Sequence, residues 1–407
     1  MKQLQSIFEG LPIVDDPFVG EPLYGAKKEV LLVDLFAGIG GFHYGVAAAA
    51  AKRQKSVRTI LVSELDVECR ATYAKNHHPD KDVLCGDINA IDLASFSPKL
   101  EVDVVTAGFP CQPFSNSGAK KGLSDERGQF YFRIEEIIKF FNAKSFILEN
   151  VPGIRTNGGG SFRSELSTSH THMGKTMRFF EKNLLKLTDD YEIKWHEINS
   201  SDLGSPQVRK RVFIVGIKKD FLPPKGKIDL GKLSKFEPNA FIKVKVEEET
   251  DSDLLLNEQQ EANIRKLMRD SIRRGARPYG PSFHDGMRRV GKAYSCDGGN
   301  VGQAYHAYGL VPTLTKVWAR FMPIYFPASG EQVPSIDSQE IKISRDLYGS
   351  GNLRRVSVAE AMLLQGFPKC FVPHDNRQMA YQHAGNAVNA KVVREIASLL
   401  FDFIENS

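Results

Sequence analysis

The chain has only five cysteines in 407 residues (Cys69, Cys85, Cys111, Cys296 and Cys370), and none stands at a short paired spacing. That argues against a disulfide framework and a cysteine-rich zinc site, so no metal is expected, and it fits a reducing compartment. No stretch approaches the roughly 18–20 apolar residues of a membrane helix. The start, Met1-Lys-Gln-Leu-Gln5, lacks the charged-then-apolar layout of a secretory signal. These absences point to a cytoplasmic protein with no membrane attachment. There are no internal repeats and no long low-complexity tract. A net charge of +5 is too small to identify a nucleic-acid partner by itself.

The distribution of charge is more informative. Nine Lys or Arg fall between Arg265 and Lys292, opposed only by Asp270 and Asp285, just after the acidic run Glu247–Asp253. A solvated face reads the same way. Gly275, Pro278, Tyr279, Gly280 and Phe283 make this block loop-like, and such loops reach phosphates and grooves.

From Val30 to Ile217, apolar runs alternate with amphipathic stretches. Strands are expected at 30–35, 59–62, 102–106, 145–148 and 212–216, and helices at 42–51, 67–76, 130–141 and 175–186. Strand and helix in turn predict a doubly wound parallel sheet. Residues 1–29 read as an arm, and Phe221–Lys227 as a linker. Residues 218–351, rich in Lys, Gly and Pro, read as a smaller, irregular, mostly-strand domain. Order returns at 352–407 with helical patterns at 356–364 and 390–403.

Four motifs carry chemistry. The third apolar run leads into Gly108-Phe-Pro-Cys111-Gln-Pro-Phe-Ser115, which puts one thiol between prolines at the carboxyl end of a strand, where open α/β sheets place their sites. The fourth run ends in Glu149-Asn-Val-Pro-Gly153. A thiol and a carboxylate at two strand tips suit nucleophilic attack assisted by a proton donor. A lone cysteine is more often a buried apolar residue; the prolines and Glu149 favour the nucleophile. The first strand ends in Asp34-Leu-Phe36-Ala-Gly38-Ile39-Gly40-Gly41, a loop that lets a ligand approach the backbone closely. Glu64, at the second strand tip, suits ribose hydroxyls, and Asp87 suits a purine amine. His43 stands where a dinucleotide loop carries its third glycine, so a nucleoside with a compact tail fits better than NAD. Gln207-Val-Arg209-Lys-Arg211 alternates along one strand face, although ordinary surface strands show the same grouping.

Taken together and in this order, the motifs resemble those of the DNA cytosine-5 methyltransferases of bacterial restriction–modification systems. Arg354–Pro368 and Gly385-Asn386-Ala-Val388 add the family's last two motifs. The resemblance implies a Rossmann-like α/β methyltransferase domain using S-adenosyl-L-methionine, with a second, smaller target-recognition domain. By position it makes Cys111 the nucleophile, Glu149 the contact to the base's N3 and amino edge, Arg211 the holder of O2, and Arg209 its neighbour. It assigns Phe36, Gly38, Ile39, Gly40, Glu64, Asp87 and Asn386 to the cofactor. Ser115 and Thr313 go to DNA, and Arg288 and Arg289 are groove-contact candidates on chemistry alone. Further expectations are double-stranded DNA as substrate, a cognate restriction endonuclease as genetic partner, a monomer, and a loop 115–128 closing on Gly118, Gly122 and Gly128. A tRNA cytosine methyltransferase is the first alternative, but it needs little of the 218–351 region. A non-catalytic DNA-binding regulator is the second, but it has no use for both Cys111 and Glu149.

Overall fold

The computed structural model describes residues 28–97, 100–110, 129–168, 172–224, 226–233, 241–246 and 351–406, with short pieces between 254 and 326. The expected arm (residues 1–27 of it), Cys111, Ser115 with the 115–128 loop, and Arg288 lie outside these residues. Of Arg289 only the backbone, at the start of a strand, is described.

Seven strands form the central sheet: β1 (Glu29–Leu35), β2 (Ser56–Ser63), β3 (Leu84–Cys85), β4 (Val104–Ala107), β5 (Ser145–Asn150), β6 (Tyr191–Asn199) and β7 (Lys210–Lys218). Their order is β3-β2-β1-β4-β5-β7-β6. The first five are mutually parallel, and β7 runs antiparallel to both β5 and β6. The doubly wound sheet is therefore present, but it is mixed rather than wholly parallel. Strand β6 is the element sequence reading missed. It carries no continuous apolar run: Tyr191, Ile193 and Trp195 are buried while the residues between them are half-exposed. Period-two alternation was its only signal.

Parallel strands covered on both faces need apolar side chains on both, and successive residues supply them. Leu32, Val104, Ile147, Phe213 and Val215 pack with α1 (Gly41–Ala51) and the last helix. Val33, Val105, Phe146, Leu148 and Ile214 pack on the other face with residues of two further helices, Gln129–Phe140 and Lys175–Leu184. On the second strand's far side α2 (Val67–His77) begins at Asp66, whose side chain accepts from the amides of Glu68 and Cys69. The last helix, Ala390–Glu405, was expected from its amphipathic period. The short helix before it, Arg377–Asn386, was not.

Outside this sheet, Arg289–Lys292, Gln303–His306, Pro323–Phe326 and Asn352–Arg355 form a four-stranded sheet. Its last strand lies just past residue 351. It is anchored where Arg354 donates to Glu360 (2.8 and 2.5 Å), the buried N3 acid of a capping box with Ser357. Val311–Pro312 pairs in parallel with Gln207–Val208, bringing part of the 218–351 region against the chain just before β7. Among the described residues no helix is long and apolar enough to cross a membrane.

The last helix meets α1 at two glycines. A Cβ on Gly45 would lie 2.4 Å from Val393 Cβ and 2.7 Å from Ala390 O, and one on Gly41 would lie 2.8 Å from Val388. Gly45→Ala is therefore expected to destabilise the protein: overpacking of about 1–3 kcal/mol outweighs the ~1 kcal/mol alanine gains in a helix. A lower urea midpoint at unchanged slope is the expected reading; a raised midpoint would contradict this packing.

Candidate active site

The tips of β1, β2, β4 and β5 point to one edge of the sheet, because parallel strands share a direction. There they line a cavity of about 1230 Å³, somewhat above the 300–1,000 Å³ of an ordinary small-molecule pocket. Its wall includes Phe36, Gly38, Ile39, Glu64, Glu149 and Asn386. Gly40, Asp87, Arg209 and Arg211 do not line it.

At the first tip the backbone is bent through left-handed conformations, with φ of 53° at Phe36, 55° at Gly38 and 90° at Gly40. Phenylalanine in that region costs roughly 1–2 kcal/mol, a strain that clusters at functional sites. Space around Gly38 is open, with nothing within 4 Å of a built Cβ. Glu64 secures the loop, accepting from Gly38 N–H at 2.8 Å and from Asp66 N–H at 2.9 Å. Leu65, 74 % exposed, lines the cavity beside it. Sequence reading passed over this residue, although an exposed leucine after a strand-tip acid is a signal. Asp87 follows β3, which pairs with β2, and its exposed carboxylate accepts from the Asn89 amide.

At the other end, Arg211 Nε pairs with Glu149 Oε1 at 2.9 Å. Because β7 is antiparallel, its beginning lies at the edge where β5 ends, with Val212 opposite Asn150. Arg211 is then a diagonal neighbour of Glu149 on the same face. A Cβ on Gly108 would sit 3.8 Å from Glu149 Oε2, so the loop leaving β4 passes this carboxylate. Buried Asn150 ties that loop down by donating to Phe109 O at 2.9 Å. Pro110 lines the cavity, and Cys111 is the next residue. Asn150 was also missed; its place beside Glu149 was the only sequence clue.

Arg209, read from sequence as sharing a face with Arg211, is turned inward and buried. Its guanidinium donates to the carbonyls of Leu314, Gly385 and Ala387 at 3.1, 3.3 and 2.7 Å. Thr313 is half-buried, its hydroxyl donating to Val208 O at 2.8 Å. Asn386 is exposed on the cavity wall. Asp66, Cys69 and His383 bring their polar atoms within 4.8 Å of one another. There Asp66 caps α2, and burial with the charges of Glu64, Asp66 and Glu68 keeps the Cys69 thiol protonated.

Beneath the glycine loop lies a buried polar layer. Asp34 accepts from Thr106 Oγ1 at 2.7 Å, and burial raises its pKa to about 7. Burial also lowers His43 to about 3 and holds His77 well below its ordinary value, so both rings are neutral. The His77 ring fills the space a side chain on Gly40 would need, with Nε2 2.0 Å from a built Cβ.

Three comparisons agree with this geometry. The family described as C-5 cytosine-specific DNA methylase matches residues 30–402. Type II methyltransferase M.NlaX of Neisseria lactamica is 30 % identical over 90 % of this chain and 94 % of its own length. M.BanI of Aneurinibacillus aneurinilyticus is 28 % identical over 92 % and 96 %. Among solved structures, the S. pombe Dnmt2 methyltransferase covers 92 % of this chain and 98 % of its own, with TM-score 0.59 at 16 % identity, a likeness of fold.

The Asp34 carboxyl holds its proton up to about pH 7 in the fold and releases it near 3.8 when unfolded. Folding then takes up a proton in that window, and stability falls as pH rises through it. Asp34→Asn removes the penalty, so its stability relative to wild type should rise between pH 5 and 8, by about 2.5 kcal/mol. Urea unfolding of both proteins at the two pH values measures this; a constant difference would refute it.

Proposed function

We propose that this chain, which belongs to the C-5 cytosine-specific DNA methylase family, attacks its target base with the Cys111 thiolate. It is a DNA (cytosine-5-)-methyltransferase whose methyl donor is S-adenosyl-L-methionine. Like the type II methyltransferases it resembles, it serves restriction–modification. One observation supports the catalytic assignment above the others: the Arg211–Glu149 pair stands beside the loop that leads through cavity-lining Pro110 into Cys111.

The cavity fits the donor. Open space at Gly38 accepts a methionine tail against backbone, the Glu64 carboxylate faces ribose hydroxyls, Leu65 gives an apolar wall for the adenine, and Asp87, which follows the strand paired with β2, is assigned to its amine. Phe36, Ile39 and Gly40 shape the loop, and Asn386 closes the opposite wall. When bound, the donor supplies an electrophilic methyl group on a sulfonium.

Cytosine C5 is too weak a nucleophile to take that methyl unaided. Addition of the Cys111 thiolate to C6 turns the ring into an enamine, whose C5 electron pair would bond to the methyl carbon as the donor's sulfur–carbon bond breaks, S-adenosylhomocysteine being the leaving group. Loss of the C5 proton then restores the double bond and expels the thiolate, so the cysteine is regenerated. During addition, charge grows on N3 and O2. These are neighbouring atoms on one edge of the ring, the arrangement a paired Glu149 and Arg211 match. A free thiol has a pKa near ~8.5, so the cationic surroundings of the site must favour the thiolate. Inside a duplex this edge is paired, and the base must be flipped out at about a few kcal/mol. The size of the cavity supports a site for both cofactor and base.

The 218–351 region, with Thr313, Arg288 and Arg289, is assigned to duplex recognition, and Ser115 to the DNA near the flipped base. A cognate endonuclease, a monomeric enzyme and a cytoplasmic location complete the reading. The relatives' type II names support the first, and the unbridged cysteines Cys69 and Cys85 support the last. The family's DNA description weighs against tRNA, and the presence of both Cys111 and Glu149 against a non-catalytic regulator.

Tritiated-methyl transfer to duplex DNA and to tRNA, followed by bisulfite mapping, tests the substrate: label in the duplex at one short sequence is expected, and label in tRNA alone would overturn the reading. Duplex carrying 5-fluorocytosine should trap the wild-type protein as an SDS-stable adduct, because fluorine does not leave as the C5 proton does. Cys111→Ser should give no adduct; one that still forms would remove Cys111 from the mechanism.

Glu64→Ala should weaken S-adenosylmethionine binding by about 1.5–3 kcal/mol, the loss for a hydrogen bond to a charged group. Calorimetry that finds the affinity unchanged would exclude Glu64 as the ribose ligand.

A further inference from the structure

Arg209 is only 3 % exposed, yet its guanidinium donates to neutral carbonyls, and the Glu149 carboxylate acts on it only as a nearby charge. Burying a cation without a bonded carboxylate is costly, and an apolar residue would fill the space at less cost. What the arginine gains is a set of partners that no apolar residue can join. Nη1 donates to Leu314 O and Gly385 O, and Nη2 donates to Ala387 O. Gly385 and Ala387 flank Asn386 on the cavity wall. Leu314 follows Thr313, itself bonded to Val208 O, and both extend from the strand pairing of 311–312 with 207–208. Two residues further along, Arg211 holds Glu149. A single planar group thus joins the recognition region, the cofactor wall and the strand carrying the base contact.

We propose that Arg209 is a positioning residue that couples the two binding events, so that duplex seated against 313–315 draws the 385–388 segment onto the cofactor, and the reverse. This rests on the reading that 218–351 meets DNA and that Asn386 faces the donor. The fork of a guanidinium is rigid, so a shift of the Leu314 carbonyl is passed to both carbonyls beside Asn386 rather than absorbed by a flexible stem. Such coupling is reciprocal by thermodynamic necessity.

The test uses the full chain and S-adenosylhomocysteine, titrated by calorimetry with and without a duplex carrying the site found by bisulfite mapping. In the wild type, duplex should tighten cofactor-product binding by about fivefold or more. Arg209→Lys keeps the charge but not the fork, and its coupling should shrink to within about twofold of none. A purely structural brace would lower affinity or melting temperature and leave the ratio intact, and that result would overturn the proposal. Because the variant can fold poorly, hydrogen exchange on the wild type gives an independent reading. Amides at 385–388 should gain protection on adding duplex alone, and unchanged exchange there would also overturn it. Either failure leaves tritium transfer through Cys111 untouched, whereas a chain that transfers no methyl to duplex fails at the underlying reading.

Discussion

The site depends on the close approach of the last helix to the first. Gly41 and Gly45 let Val388, Ala390 and Val393 lie where side chains would otherwise stand. The first helix starts directly at the glycine loop leaving β1, and Asn386 comes two residues before Val388. Packing these helices therefore sets the distance between the two walls of the cavity. Sequence ends more than 340 residues apart are held as one edge by the absence of two Cβ atoms. His77 does the same from below, its ring occupying the space beside Gly40. The loop above is left-handed at Phe36, a strain the sheet and the Glu64 bonds hold in place.

A second constraint is strand direction. Five parallel strands bring their tips to one edge, but an arginine at the start of a sixth parallel strand would have been at the opposite edge. Turning β7 antiparallel places Arg211 beside Glu149. The same reversal leaves Gln207–Val208 free to pair with 311–312, so that segment and the strand carrying Arg211 meet through backbone. Arg211 and residues 311–312 are adjacent in space because both join one short stretch of chain, and Arg209 lies in the middle of it.

Division of labour follows from chemistry. A flipped base offers its polar edge to fixed partners and has no sequence around it to read, so information about neighbouring bases must enter through other contacts. In the function proposed above, those contacts fall to 218–351, where short strands are built onto the Arg354–Glu360 anchor, an ion pair with one partner wholly buried.

The doubly wound sheet, the glycine loop and the strand-tip positions of Glu64 and Glu149 were legible in the sequence. Each is a local pattern: an apolar run ending in a turn and a polar residue. The amphipathic last helix was legible for the same reason. Strand β6 was not, because its alternation is weak against a charged background, and neither was the antiparallel sense of β7, since direction leaves no mark on a single strand. Leu65 and Asn150 gave little sign, as their roles come from what they face. Arg209 shows the limit best. Alternation put it on the same face as Arg211, but the chain leaves strand geometry between Val208 and Lys210. Its guanidinium then turns to carbonyls 105, 176 and 178 residues away. By itself the sequence determined which polar residues stand at which strand tips, because that follows from local periodicity and turns. Only the tertiary structure decided which of them meet, because that depends on strand direction and on helix contacts between distant parts of the chain.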